Sequence, residues 1–181
     1  MDDAKAVTQN WVESIVVNLN LCPFAWRELD SGRVRLINFS GDDESGLLQA
    51  LQDETELLDR DTSIETTLLI HPFVLQDFDK YNQFLNLVDD LIVDLRREGV
   101  YQVASFHPQY QFAGTDPDAP ENYTNRSPFP MLHLLREASV EKAIESYPDV
   151  EKIPERNIEC MNDMGKEKLD DLLRSCRHST D

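Results

Sequence analysis

The sequence has few basic residues, and this shortage excludes two classes of binding partner. Of its 181 residues, 17 are Lys or Arg and 35 are Asp or Glu, which gives a formal charge of −18. Binding to nucleic-acid phosphates or to an anionic membrane surface depends on clustered basic side chains. Neither partner is therefore expected. The 40% of hydrophobic residues and the 8 Phe, 5 Tyr and 2 Trp still predict a folded chain, as a single domain over residues 1–181.

Cysteine, glycine motifs and long apolar runs are also scarce. The cysteines, Cys22, Cys160 and Cys176, form no CxxC pair, and a disulfide framework is not expected from three widely spaced residues. No apolar run approaches the roughly 20 residues of a membrane helix, and the sequence does not open with a secretory signal. A cytoplasmic location is the resulting expectation. Gly-rich phosphate loops, the GxSxG motif and EF-hand loops do not occur.

Strand and helix patterns alternate through the first part of the chain. Apolar strand patterns are found at residues 33–39, 66–70 and 100–106. Amphipathic helix patterns are found at residues 3–19, 43–58, 77–95, 130–137, 140–147 and 155–176. The β-α-β-α-β order predicts an α/β fold with a small, mostly parallel sheet of three or four strands, an N-terminal helix and a C-terminal helical segment.

Two of the predicted strands end in the same dipeptide, His71-Pro72 and His107-Pro108. Ligands of parallel α/β sheets bind outside the carboxyl ends of the strands. His71 and His107 are therefore predicted to be catalytic acid–base or ligand-binding groups in one pocket. The alternative is structural, because a histidine at this place can also cap the strand end through a backbone hydrogen bond.

The predicted helix at 130–137 adds a candidate metal set. His133 and Glu137 are four residues apart and would share a helix face. Together with His71 and His107 they would make a set of three imidazoles and a carboxylate. The spacing is not that of an HExxH motif, and no cofactor is identified by the sequence.

A segment of more than twenty residues, 107–128, has no periodicity and contains several aromatic residues. Loops of this length in compact domains are usually functional or disordered, and the aromatic content argues against disorder. The planar guanidinium of Arg126 suits an anionic small molecule, which Asn122 and Asn125 would orient. The alternative for Arg126 is an ion pair with a surface acid. The position of Cys22 between Leu and Pro indicates a small, buried hydrophobic side chain more than it indicates a nucleophile.

Several longer strings resemble an uncharacterised, mainly bacterial family, the domain of unknown function 1415. They are NLNLCPFA at 18–25, FHP at 106–108, YQFAGT at 110–115, NRSP at 125–128 and LLRE at 134–137. The resemblance extends to about Glu159. It implies one intact domain in a bacterial cytoplasm, and it carries no catalytic assignment.

Two function classes follow from these patterns. The first is a small-molecule enzyme or ligand-binding domain whose polar site gathers His71, His107 and Arg126 at the strand ends. The second is a non-catalytic interaction domain that docks a partner protein through the loop at 107–128. A polar pocket would favour the first class, and exposed Tyr110 and Tyr123 on a flat surface would favour the second.

Overall fold

A computed structural model describes residues 3–177, which form a four-stranded sheet with helices on both faces. The strands are β1 (Val34–Asn38), β2 (Thr66–Ile70), β3 (Tyr101–Phe106) and β4 (Met131–Arg136). The α-helices are α1 (Ala4–Trp11), α2 (Ala25–Asp30), α3 (Glu44–Arg60), α4 (Phe78–Asp94), α5 (Glu137–Ser146), α6 (Ile153–Met164) and α7 (Lys166–Ser175). Short 3-10 segments span Pro120–Thr124 and Val150–Lys152, and α1 continues as a π-helical segment over Val12–Val17.

Side-chain caps explain where the long helices begin. Asp43 accepts a hydrogen bond from the Gly46 amide at 2.8 Å, and Asp77 accepts one from Lys80 at 3.0 Å. Each cap satisfies an amide that has no partner within the helix. The predicted helices at 43–58 and 77–95 are confirmed as α3 and α4. Gly165, with φ of +75°, separates α6 from α7 within the stretch predicted as helical at 155–176, in which this glycine was the expected point of division.

The sheet is mixed, with strand order β1-β2-β4-β3. β1 and β2 are parallel, whereas β4 lies antiparallel between β2 and β3. The predicted α/β class is confirmed, but the mostly parallel pairing was wrong. β2 and β3, which both end in His-Pro, are not neighbours, because β4 occupies the place between them.

The segment predicted as a helix at 130–137 is strand β4. A short apolar run fits a buried strand and a buried helix equally well, so periodicity does not separate them. The gap between β2 and β3 decides the outcome, since it offers hydrogen-bonding partners along both edges of β4. The predicted helical pair of His133 and Glu137 is therefore wrong, because His133 lies within β4 and Glu137 begins α5.

Alternate residues of β4 contribute to two separate cores. Leu132 and Leu134 pack with α3 and α4 on one face of the sheet. Met131 packs on the other face with Trp11 from α1 and Met161 from α6. Among residues 3–177, no helix is both long and apolar enough to cross a membrane.

Candidate functional site

His71 and His107 lie on the same face of the sheet, and both side chains are completely buried. They flank the ring of Tyr81 from α4, whose centroid is 5.8 Å from the His71 ring and 5.1 Å from the His107 ring. Contacts with Tyr81 of α4 therefore bring the two predicted histidines together, although their strands are not adjacent.

The ring nitrogens of both histidines are directed mainly at the backbone. His107 donates from Nε2 to the Leu75 carbonyl at 3.1 Å and accepts at Nδ1 from the Gln109 amide at 3.0 Å. His71 donates from Nδ1 to the Val74 carbonyl at 3.0 Å. Both imidazoles thus hold the segment 72–76, in which Leu75 has a φ of +57°. This geometry matches the structural alternative for the His-Pro pairs.

Burial keeps both rings uncharged at neutral pH. Desolvation lowers the pKa of His71 to about 4, and it also lowers the pKa of His107. Nε2 of His71 is buried and has no hydrogen-bond partner in the described part of the chain. A catalytic role for the pair stays a prediction, and it would require the backbone bonds of His107 to open.

Tyr81 lies between the two histidines and was not singled out from the sequence as a site residue. Its hydroxyl donates to the Met131 carbonyl at 2.8 Å and accepts from the Phe106 amide at 3.1 Å. It therefore joins β4 and β3 where β3 ends. The signal was present in the sequence, because a tyrosine on the buried face of a helix needs a partner for its hydroxyl.

Arg126 packs against its own loop. Its guanidinium carbon lies 4.5 Å from the Tyr123 ring centre, and it donates to the carbonyls of Tyr110 at 3.2 Å and Pro117 at 2.6 Å. The Arg126 carbonyl accepts from Trp11 Nε1 at 3.1 Å, which ties the loop to α1. The expected carboxylate partner is thus replaced by main-chain oxygens, and anion binding by Arg126 stays a prediction.

The two asparagines also stabilise the loop. Asn122 is fully buried and accepts from the Phe112 amide at 3.0 Å and the Thr115 hydroxyl at 2.8 Å. Asn125 donates to the Ser105 carbonyl at 3.1 Å. Tyr123 is only 3% exposed. The polar atoms predicted to orient a substrate are therefore engaged by the loop itself, for Asn122, and by the backbone of β3, for Asn125.

The candidate metal set is divided between the two faces of the sheet. His133 packs near Phe106 on the face of α1, whereas His71 and His107 pack against α4 on the opposite face. Over residues 3–177, no group of three or more His, Cys, Asp or Glu side chains is arranged to hold a metal ion.

A cavity of about 340 Å³ lies between the sheet and the helical layer formed by α1, α2 and α5; we call it the sheet cavity. Its wall is largely carbon, and the volume lies at the lower end of the range for small-molecule sites. The sheet side is formed by Thr66, Leu68, Ala104, Phe106, His133 and Leu135. The helical side includes Trp11, Val16, Cys22, Phe24, Val140 and Ala143.

His133 presents one free acceptor nitrogen at the cavity. Thr66 donates its single hydroxyl hydrogen to the Leu134 carbonyl at 2.6 Å, so at 2.7 Å it can only accept from Nε2 of His133. His133 is therefore the Nε2–H tautomer, and its Nδ1 carries a lone pair. Desolvation lowers the pKa of His133 to about 4, which keeps this lone pair available at neutral pH.

Two carboxylates also line the cavity, and sequence reasoning missed both. Glu65 is 9% exposed and is bonded to Arg33 through Oε2, while its buried Oε1 has no hydrogen-bond partner within residues 3–177. Oε2 of Glu28 is likewise buried without a hydrogen bond, although Arg33 Nη1 lies 3.4 Å away in ion-pair range. The available signal was an acid directly before a wholly buried strand, since such an acid needs partners.

Cys22 is expected to react slowly with thiol reagents, because burial raises the pKa of its thiol. A raised pKa lowers the fraction of reactive thiolate at neutral pH, and burial also limits access of the reagent. Iodoacetamide labelling at pH 7.5, followed by peptide mass spectrometry, should find Cys22 modified at least about tenfold more slowly in the folded protein than in urea. Equal rates in the two states would show that Cys22 is accessible and unperturbed.

These features define a small α/β domain with a mixed four-stranded sheet. On one face of the sheet, His71 and His107 hydrogen-bond the segment 72–76, and on the other face lies an apolar cavity. The chain belongs to the family described as Protein of unknown function (DUF1415), whose model matches residues 3–171. Searches of curated proteins and of solved structures returned no match.

Proposed function

We propose that the protein binds a small, mainly apolar molecule in the sheet cavity. The observation that carries this proposal is an apolar space of about 340 Å³ whose lining residues include Glu28 and Glu65, each with a buried oxygen that has no hydrogen bond in the described residues. Binding sites combine these two properties, because apolar surface supplies affinity and a few polar atoms fix orientation. The class of function is that expected from the sequence, but the favoured site lies on the opposite face of the sheet from His71 and His107.

The loop at 107–128 is less favoured as a docking surface. Tyr123 is 3% exposed, Tyr110 is half-buried and Asn122 is fully buried. The side chains of Tyr123 and Asn122 stabilise the loop, so they are not available as contacts for a partner protein. Exposure of these residues is what a docking role would require.

Binding of 4-phenylbutan-1-ol tests the proposal. A ligand of about eleven non-hydrogen atoms is expected to bind with a dissociation constant on the order of 0.1 mM. Isothermal titration calorimetry gives the affinity. Quenching or enhancement of Trp11 fluorescence, measured in a Trp26→Phe background, reports whether the probe enters the cavity that Trp11 lines. Occupancy should also slow iodoacetamide labelling of Cys22.

Two matched substitutions in α5 locate the site. Ala143 faces the cavity, whereas Ala138 on the same helix is exposed. Ala143→Phe should weaken probe binding at least about tenfold by filling the space, and Ala138→Phe should leave it within about twofold. Saturable binding that is equally strong in both variants, or the absence of binding to the folded wild-type protein, would contradict the proposal.

A further inference from the structure

We propose that the molecule held in the sheet cavity carries a positively charged amine head, which donates hydrogen bonds to Glu65 and Glu28. This inference rests on the proposed function and adds the chemical class of the ligand. Its apolar body would lie against the carbon wall formed by residues such as Phe106 and Val140.

The unpartnered oxygens of the two carboxylates are the first observation behind this inference. Glu65 and Glu28 line the same cavity, and Oε1 of Glu65 and Oε2 of Glu28 are each buried without a hydrogen bond in the described structure. A buried acceptor left unpaired costs about 1–3 kcal/mol, and more when it is charged. A ligand with N–H donors would remove this cost, whereas a ligand with only acceptors would increase it.

The charge balance at this end of the cavity favours a cation. Arg33 supplies one positive charge between the carboxylates of Glu28 and Glu65, bonded to Glu65 and within ion-pair distance of Glu28. Two carboxylates and one guanidinium leave one negative charge uncompensated. Within this group Glu65 is only 9% exposed, so its carboxylate is less screened by water and attracts a cationic group more strongly than a surface carboxylate does.

The basic residue in the cavity wall is not available to an anion. Arg136 donates to the carbonyls of Leu58 at 2.7 Å and Ile64 at 3.1 Å, and its guanidinium lies 5.7 Å from the ring centre of Tyr101. These partners are on the face of the sheet that packs against α3. A carboxylate or phosphate in the cavity would therefore meet Glu65 and Glu28 without a cation to compensate it.

His133 adds a third acceptor to the same wall. Its Nε2–H is given to Thr66, so the Nδ1 lone pair is what remains for a ligand. Gln102 and Ser139, which also line the cavity, are neutral groups able to donate or accept. The two carboxylates and the imidazole thus agree, since all three accept hydrogen bonds.

Three probes with the same phenylbutyl body separate the possible classes. 4-Phenylbutylamine, 4-phenylbutan-1-ol and 5-phenylpentanoate present a cation, a neutral hydroxyl and an anion. In calorimetry at pH 7.5 and 0.15 M salt, the amine should bind at least about tenfold more tightly than the alcohol, and the carboxylate should bind most weakly. Glu65→Gln should reduce the preference for amine over alcohol at least about fivefold, while affinity for the alcohol changes less than about twofold.

Two variants control for the large negative charge of the protein. Asp90→Asn removes one charge from an exposed position on α4, on the other face of the sheet, and should leave the amine preference unchanged. Ala143→Phe should abolish binding of all three probes alike. Retained affinity for the alcohol in Glu65→Gln shows that this variant is folded, and loss of all binding, alcohol included, would count against the role given to Glu65.

The two proposals fail in different ways. If all three probes bind with similar affinity and Ala143→Phe blocks them, the cavity binds small molecules and the amine inference is wrong. A preference for 5-phenylpentanoate, or an amine preference that survives Glu65→Gln, would also overturn the inference. If none of the three probes binds the wild-type protein, the proposed function fails, and the amine inference fails with it.

Discussion

Replacing Tyr81 by Phe is expected to lower the free energy of unfolding by about 3 kcal/mol. The phenol hydroxyl donates to the Met131 carbonyl and accepts from the Phe106 amide. Removing it leaves two backbone groups without this partner while the shape of the ring is kept. These two backbone groups belong to β4 and β3. Loss of the hydroxyl should therefore loosen the edge of the sheet from which the loop at 107–128 begins.

Urea unfolding followed by circular dichroism measures this change. Tyr110→Phe is the matched control, because the Tyr110 hydroxyl makes no hydrogen bond within residues 3–177 while its ring packs 5.2 Å from that of Phe78. That control should alter stability by less than about 0.5 kcal/mol. A Tyr81→Phe variant as stable as Tyr110→Phe would mean that the hydroxyl bridge contributes nothing net.

Acidification from pH 6.5 to 4 is expected to destabilise the protein through His71 and His133. Desolvation lowers the pKa of each from 6.5 to about 4 in the folded state. Below pH 6.5 the unfolded chain binds protons that the folded chain does not, so stability falls by about 1.4 kcal/mol per pH unit for each histidine. Each histidine should therefore cost roughly 3 kcal/mol by pH 4, and above pH 7 neither contributes a slope.

Substitutions that keep the hydrogen bond but remove the titration isolate this effect. Asn at position 71 can replace the Nδ1–H donor, and Gln at position 133 can replace the Nε2–H donor. Urea unfolding of His71→Asn and His133→Gln at several pH values should show a smaller loss of stability between pH 6.5 and 4 than in the wild type. If the free energies of unfolding of the variants, plotted against pH, run parallel to that of the wild type over this range, the prediction is contradicted.

Other titrating groups act outside this window or cancel in the comparison. The pKa values of Asp59 and Asp170 lie below the ordinary value of 3.8, in each case because hydrogen bonds and cationic neighbours outweigh desolvation. The stability that Asp59 and Asp170 contribute is fully present above pH 3.8 and is lost as the pH falls below it. Relief of repulsion among the acidic side chains raises stability on acidification, but it does so equally in wild type and variants.

Several of the strings by which the chain resembles its family lie in contact. The amide of His107 donates to the carbonyl of Asn125 at 3.2 Å, and Arg126 donates to the carbonyl of Tyr110 at 3.2 Å. Cys22, from the string at 18–25, lines the sheet cavity. The longest motifs therefore stabilise one loop and form one part of the cavity wall.

Local chemistry was sufficient to predict much of the secondary structure and the position of His71 and His107 directly after two strands. The caps at Asp43 and Asp77, the apolar run at 66–70 and the His-Pro pairs act over a few residues, and such effects are encoded within a short window. Burial of His71 and His107 at strand ends follows from that pattern. The backbone partners of their ring nitrogens do not, because they depend on the conformation of residues 72–76.

By itself, the sequence determined the acidic composition, the α/β class and the order of most helices and strands, since these depend on residue type and short-range periodicity. Only the tertiary structure decided that residues 131–136 form a strand, because the neighbouring edges of β2 and β3 supply its hydrogen bonds. It also decided where the cavity lies. Glu28, Glu65 and His133 are distant in sequence, and packing of α2 and α5 over the sheet is what brings them to one wall.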